Sequence, residues 1–295
     1  MPEMTSLQGP VEGERRPQGQ LIDIGVNLTN ARFERDIEQV LERAASARVL
    51  DLIITGVDLV SSRRALELCQ ELGERRADGL RLWCTAGVHP HDSGAVEGGY
   101  LEALRALHLD HPSHVVALGE CGLDYERDYS PRERQLACFE AQLELALELE
   151  RPMFLHERGA HEDLYALLRA AGPALAARSV VHCFTGERQA MERYLALGCS
   201  IGVTGWVCDE RRGEGLQRLV RDLPLERLLV ETDAPYLTPR TLRPKPKRGR
   251  NEPATLPHIV SELARHMGRA EEELWTASAA NAERLFRLPA RGRES

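Results

Sequence analysis

The stretch Arg227-Leu-Leu-Val-Glu-Thr-Asp-Ala-Pro-Tyr236 decides how the chain is read. Leu228, Leu229 and Val230 form a short apolar run of the kind that fills a buried strand, and Pro235 ends it because its nitrogen cannot donate to a sheet ladder. Asp233 thereby falls at the C-terminal end of the strand. Glu231, two residues earlier, points to the same face one layer deeper, where it is expected to orient a histidine or an arginine or to form a buried ion pair. Beyond Tyr236 the chain opens into residues 240–251, which carry Arg240, Arg243, Lys245, Lys247, Arg248 and Arg250 and no acid. A charge run by itself is well explained as a solvated loop. A carboxylate at a strand end facing guanidinium groups suits a site that holds a metal and an anionic substrate together, and both lysines of the chain fall in this one loop.

Working outward, the same pattern repeats. Strand-like runs occur at 21–28, 52–57, 82–88, 115–123, 152–156, 179–184, 199–207 and 228–231, separated by helix-like stretches such as 33–47, 61–76 and 131–150. In 131–150, Phe139, Leu143, Ala146, Leu147 and Leu149 roughly follow the 3.6-residue period, with Ser130 as an expected cap and Pro131 in the first turn. Eight strands alternating with helices predict an α/β fold, a parallel (β/α)8 TIM barrel, with extra C-terminal helices at 253–267 and 270–285 packed outside. A doubly wound open sheet is the alternative, because strand count alone does not prove closure. The expected division is a disordered lead-in over 1–20, one barrel domain over 21–288 and a tail over 289–295.

Composition narrows the function classes. With 42% hydrophobic and 28% charged residues the chain can bury a full core, and no apolar run approaches the length of a membrane span. The N-terminus lacks the layout of a signal peptide, so a cytoplasmic location is expected, and the protein is expected to be a monomer. Seven scattered cysteines without a C-x-x-C pair read as reduced thiols. A net charge of −8 argues against a general nucleic-acid coat, so any polyanion must meet a local patch.

In a parallel barrel the reactive side chains belong at the C-terminal strand ends. The runs end in or beside Asp23 and Asn27, His89, Glu120, His156, His182 and Asp233. One such histidine is ordinarily a satisfied core residue; two on consecutive strands, beside a strand bearing Glu120, point to a divalent transition metal. Asp233 adds a ligand or a base that takes a proton from water activated by the ion. Gly119 and Gly122 beside Glu120 let other groups approach the backbone closely. His89, followed by Pro90 and His91, is expected to contact phosphate or donate a proton.

The motifs Asp23-Ile-Gly-Val-Asn-Leu28, Thr85-Ala-Gly-Val-His-Pro-His-Asp92, Gly119-Glu-Cys-Gly-Leu-Asp124, His182-Cys-Phe-Thr-Gly186, residues 201–212, Glu231-Thr-Asp-Ala-Pro-Tyr-Leu237 and Arg250-Asn-Glu-Pro253 strongly resemble the TatD-type metal-dependent deoxyribonucleases. The resemblance spans about residues 21–288. It implies an amidohydrolase-like TIM barrel that hydrolyses phosphodiesters as a 3′–5′ exonuclease on single-stranded DNA, with RNA as a further substrate, in DNA repair or degradation. It carries metal positions onto Glu120, His156, His182 and Asp233, for one or two Mg2+, Mn2+ or Zn2+ ions. Many relatives hold a His-x-His pair where this chain has Gly25 and Asn27, a replacement shared by the TatD subgroup that it resembles. One ion is therefore expected to bind well, and a second, near Asp233, Asn27 and Glu120 with Asp23 as a further donor, weakly. Arg243, Lys245, Lys247 and Arg250 are expected to hold backbone phosphates, and Trp206 to stack on a base or pack at the rim. Two other functions remain open on the residues alone: a metal-dependent deacylase of aminoacyl-tRNA, and a nucleic-acid-binding protein without catalysis.

Overall fold

The computed structural model describes residues 19–73 and 76–291; residues 1–18, 74–75 and 292–295 and the side chain of Lys247 lie outside the described residues. Most of the expected lead-in and the end of the expected tail fall there. Apolar residues on both faces of a strand require cover on both faces, and parallel pairing with helical crossovers provides it. The first half of the chain runs β1 (Leu21–Val26), α1 (Ile37–Ser46), β2 (Val49–Ile54), α2 (Leu59–Leu68), β3 (Arg81–Ala86), α3 (Tyr100–Asp110), β4 (Val115–Asp124) and α4 (Arg132–Glu148). The second half continues with β5 (Met153–Arg158), α5 (His161–Ala171), α6 (Pro173–Ala176), β6 (Ser179–Val181), α7 (Arg188–Leu197), β7 (Ser200–Val203), α8 (Glu214–Leu219) and β8 (Leu228–Val230), then α9 (Leu256–Met267) and α10 (Glu271–Phe286).

The strands form one sheet in the order β1 to β8, each parallel to the next. The sheet closes on itself just past β8. Val26 bridges to Ala234, Asn27 N donates to Ala234 O at 2.7 Å, and Asp233 N donates to Gly25 O at 2.9 Å. That seam excludes the open-sheet alternative. Inside the barrel, Ile22, Ile24, Ile53, Val116, Phe154, Val180 and Leu229 pack as one cluster, each such side chain contributing about 1.5–3 kcal/mol by leaving water.

Several element ends differ from the sequence reading by a few residues, and four differences bear on the site. α10 does not merely lie outside: Ala282, Leu285 and Phe286 join the interior cluster and plug the N-terminal end of the barrel. Ser130 does not cap α4, because its hydroxyl donates to His91 O at 2.7 Å and accepts from Gly94 N at 3.0 Å, tying down the loop after β3. β6 stops at Val181 rather than 184, since Cys183 turns to φ 45°. β7 stops at Val203 rather than 207, where Thr204 Oγ1 accepts from Trp206 N at 3.2 Å and starts a tight helical turn over Gly205–Cys208. No helix among the described residues is long and apolar enough to cross a membrane.

Candidate metal centre

The pleat determines which side chains meet. Phe154, Val180 and Leu229 are interior apolar residues, and His156, His182 and Glu231 follow each of them at the next position on the same face. Over one pleat step the barrel lining changes from hydrocarbon to imidazole and carboxylate. The rings of Phe154 and His182 touch across this boundary with centroids 4.4 Å apart.

Glu120 comes from β4, between two glycines that let the backbones close up. Gly122, at φ 142°, has no room for a Cβ against the His156 carbonyl, and Gly119, at φ 140°, none against that of Phe154. One Glu120 oxygen, Oε1, is approached by His182 Nε2 at 2.8 Å, His156 Nδ1 at 3.0 Å and His89 Nε2 at 3.3 Å. Ligand atoms of His89, Glu120 and His156 all lie within 4.8 Å of one another, a spacing able to hold a metal ion. His89, expected to contact phosphate or donate a proton, thus lies buried beside Glu120 and His156.

A ring of carboxylates supports this cluster. Glu231 is fully buried; its Oε1 accepts from the backbone N–H of Cys183 at 2.6 Å, and its Oε2 faces His182 Nδ1 at 3.3 Å. Both ring and backbone of the His182-Cys183 pair are therefore held by one side chain. A Cβ on Gly25 would overlap Glu231 Oε2, so the glycine at the expected ligand position of β1 is the space in which Glu231 sits. Asp124, also buried, faces His91 Nε2 at 2.8 Å and His156 Nε2 at 3.3 Å and accepts from the N–H groups of Glu126 and Arg127.

Charge follows geometry. Burial opposes ionisation of Glu120, but His182, His89 and His156 hold its carboxyl well below the usual range. Burial likewise opposes charge on His182, which Glu120 and Glu231 nevertheless raise well above the usual imidazole value. His89, more weakly compensated, is lowered by burial to about 4. Asp233 lies in the same cavity at φ 53°, accepts from Asn27 Nδ2 at 2.9 Å, and is pushed up to about 7 by burial and by Glu120 and Glu231, against His182.

The cavity above these groups has a volume of about 670 Å3. Glu120, His156, His182, Asp233, His89, Asn27 and Trp206 all line it. Asp23 does not: it is buried in the seam, where its carboxyl group accepts from Thr232 Oγ1 at 2.5 Å, Thr232 N at 2.9 Å and Gly25 N at 3.3 Å and faces away from the cavity lining. Of the basic loop only Gly249 lines the cavity; among the described residues its cationic side chains do not. Arg243 Nη1 donates to the carbonyls of Arg240 and Leu242, at 2.6 and 2.8 Å, and Lys245 is exposed. Arg250 binds Asp36 and Glu252, each at 2.7 Å, so its charge is spent within the protein. The guanidinium groups that do line the cavity belong to Arg32, Arg127 and Arg158, none of which stood out in the sequence. Asp124, His91 and Tyr236 were also missed as site residues; for Asp124 the signal was present, since it follows Glu120 by four residues on the same strand.

Three imidazoles around one carboxylate oxygen, with Asp124, Glu231 and Asp233 beside them, leave a surplus of negative charge. No guanidinium or ammonium group hydrogen-bonds these four carboxylates among the described residues. That donor set fits a divalent cation. A closed (β/α)8 barrel with such a cluster at its C-terminal mouth defines the class of metal-dependent barrel hydrolases. Within that class, residues 22–287 match the family of TatD related DNases, and the chain belongs to this family. It is 50% identical over 270 residues to a protein of Erwinia billingiae named 3′–5′ ssDNA/RNA exonuclease TatD, covering 92% of this chain and 100% of that one. A protein of Pectobacterium parmentieri with the same name is 48% identical over 268 residues, covering 91% and 100%. Among solved structures, YJJV, a TatD homolog of Escherichia coli, superposes with a TM-score of 0.81 at 30% identity, covering 91% of this chain and 98% of that one. The phosphotriesterase homology protein of the same organism, 16% identical with a TM-score of 0.65 and coverage of 92% and 100%, shares the fold.

Proposed function

We propose that the chain is a divalent-metal-dependent nuclease that removes nucleotides from the 3′ end of single-stranded DNA, and of RNA, in DNA repair or degradation. The observation that carries the reading is the convergence of His89, His156 and His182 on Glu120 Oε1 at the floor of an open cavity. The names of relatives at about half identity give it its substrate. Glu120, His156, His182 and His89 would hold one ion, Mn2+ or Zn2+ being favoured over Mg2+ by the imidazoles. When bound, it supplies Lewis acidity toward a phosphodiester and lowers the pKa of water.

The chain's own groups do the rest. Asp233, which lines the same cavity as Glu120 and His182, takes a proton from the attacking water. Asn27 steadies it through its amide N–H. A second ion near Asp233 and Asn27 would be weak, since Gly25 offers no donor and Asp23 is committed to Thr232. Arg32 and Arg127 on the wall bind phosphate oxygens, with Arg158, which holds Glu126 at 2.6 Å and keeps other N–H donors, beside them and Arg243 and Lys245 further along the strand. Trp206 offers a ring to the terminal base. A reducing compartment such as the cytoplasm suits seven free cysteines.

Digestion of end-labelled single-stranded DNA, duplex DNA and RNA, with and without chelator, tests this. Stepwise release of mononucleotides from 3′ ends of single strands is expected, abolished by chelation. His156→Ala should remove it, and Asp233→Ala should slow it by about 100-fold or more. Release of an amino acid from aminoacyl-tRNA with no mononucleotide from any strand would replace the nuclease with a deacylase.

A further inference from the structure

A second cavity, of about 390 Å3, lies beyond Trp206 and shares Thr185 and Trp206 with the wall of the metal cavity. Its size is that of a small-ligand site. Arg188, Arg212 and Arg218 line it against one carboxylate residue, Glu187.

Arg212 is fixed there. Its guanidinium carbon lies 4.5 Å from the Trp206 ring centroid, and Asp209 Oδ2 accepts its Nε at 3.1 Å. Asp209 is itself buried; its Oδ1 accepts the backbone N–H groups of Arg211 and Arg212 at 2.9 and 3.1 Å, and Arg240 Nε approaches that oxygen to 3.8 Å. The guanidinium plane is therefore a preset surface with one face on the indole and its side chain 65% exposed. Arg188 pairs with Asp222 at 2.7 Å and with Glu192 at 3.7 Å, and Arg218 with Glu214, but a guanidinium has five N–H donors, and these partners leave some of them free for a phosphate.

We infer that this cavity is the subsite for the penultimate nucleotide of the strand. The inference rests on the exonuclease reading and deepens it. The terminal nucleotide occupies the metal cavity with its base on Trp206, and the preceding base lies on the Arg212 plane, its phosphate within reach of Arg188 or Arg218. In the reaction, the oxygen of water joins phosphorus, the bond from phosphorus to the penultimate 3′ oxygen breaks, and that oxygen leaves with a proton. The released product is a nucleoside 5′-monophosphate, and the shortened strand stays seated beyond Trp206.

The test compares a single-stranded oligonucleotide, which fills both cavities, with p-nitrophenyl thymidine 5′-phosphate, which supplies only the terminal nucleotide. Arg212→Ala should raise KM for the oligonucleotide about tenfold, the value of one lost stacking contact, with kcat changed less than twofold. KM for the chromogenic ester should move less than twofold. Arg188→Ala should show the same selectivity to a smaller degree, and both substituted side chains are exposed, so the fold is retained. Equal effects on the two substrates, or none on either, overturn the subsite. A wild-type protein that cleaves the ester but no oligonucleotide overturns the exonuclease reading itself, and the subsite falls with it.

Discussion

The ligand cluster and the basic loop are both dense in charge, yet they are built in opposite ways. At the cluster each imidazole is held from both sides: His156 lies between Glu120 and Asp124, and His182 between Glu120 and Glu231, on residues that strand pairing has already brought together. In the loop the charges turn to whatever lies near. Arg243 folds back on its own carbonyls, Arg250 is consumed by Asp36 and Glu252, and Lys245 faces solvent. The contrast teaches that charge density does not by itself mark a binding group. What marks it is a charge left without an internal partner, or one held so rigidly that only an added ion completes it.

The largest expected effect comes from restoring the histidine that relatives carry on the first strand. Because Glu231 occupies the space over Gly25, Gly25→His should not add a ligand. It should overpack the barrel, lowering stability by about 1–3 kcal/mol in denaturant titration. It should also push Glu231 off His182 and weaken divalent-metal affinity by about 10–100-fold. A variant that bound metal more tightly at unchanged stability would break the idea that Glu231 and the glycine are complementary.

On the loop side the effects are smaller. If Lys245 contacts a backbone phosphate of a single strand, Lys245→Ala should lower the slope of log affinity against log salt by about 0.7 and raise KM a few-fold without touching kcat. Arg250→Ala should leave the slope unchanged, since its charge is already paired; a drop equal to that of Lys245→Ala would erase the distinction between free and spent cations.

The smallest effect concerns stability against acid. Arg250 first, and Arg43 after it, hold the Asp36 carboxyl below its usual 3.8. A carboxylate whose folded value is depressed contributes stability above the unfolded value and loses it as pH falls through the folded one. Asp36→Asn should therefore lower Tm slightly at pH 7, by the equivalent of about 0.2–1 kcal/mol for an exposed network. The gap from wild type should close below pH 3.8. A gap independent of pH would show that packing, not charge, ties the loop to the barrel.

Much of the site was legible because strand side chains alternate. Phe154 to His156 and Leu229 to Glu231 each change from apolar to ligating in one step of two residues, and no tertiary information is needed to see it. Asp233 and His89 were less legible. Both lie beyond the ends of their strands, where the pleat no longer dictates direction, and the seam to Gly25 and the turn at Pro90 decided where they point.

By itself, then, the sequence determined the alternation of strand and helix, the count of eight strands and the chemistry at their C-terminal ends, since these follow from periodicities of two and 3.6 residues that every segment carries locally. Only the tertiary structure decided that the sheet closes, that α10 fills its lower end, that His89 lies against Glu120 while Asp23 is buried in the seam, and which arginines face the cavity. Those outcomes depend on partners far apart in the chain, such as Asp36 and Arg250, 214 residues from each other. Whether a charge is spent or available is set by what folding places beside it.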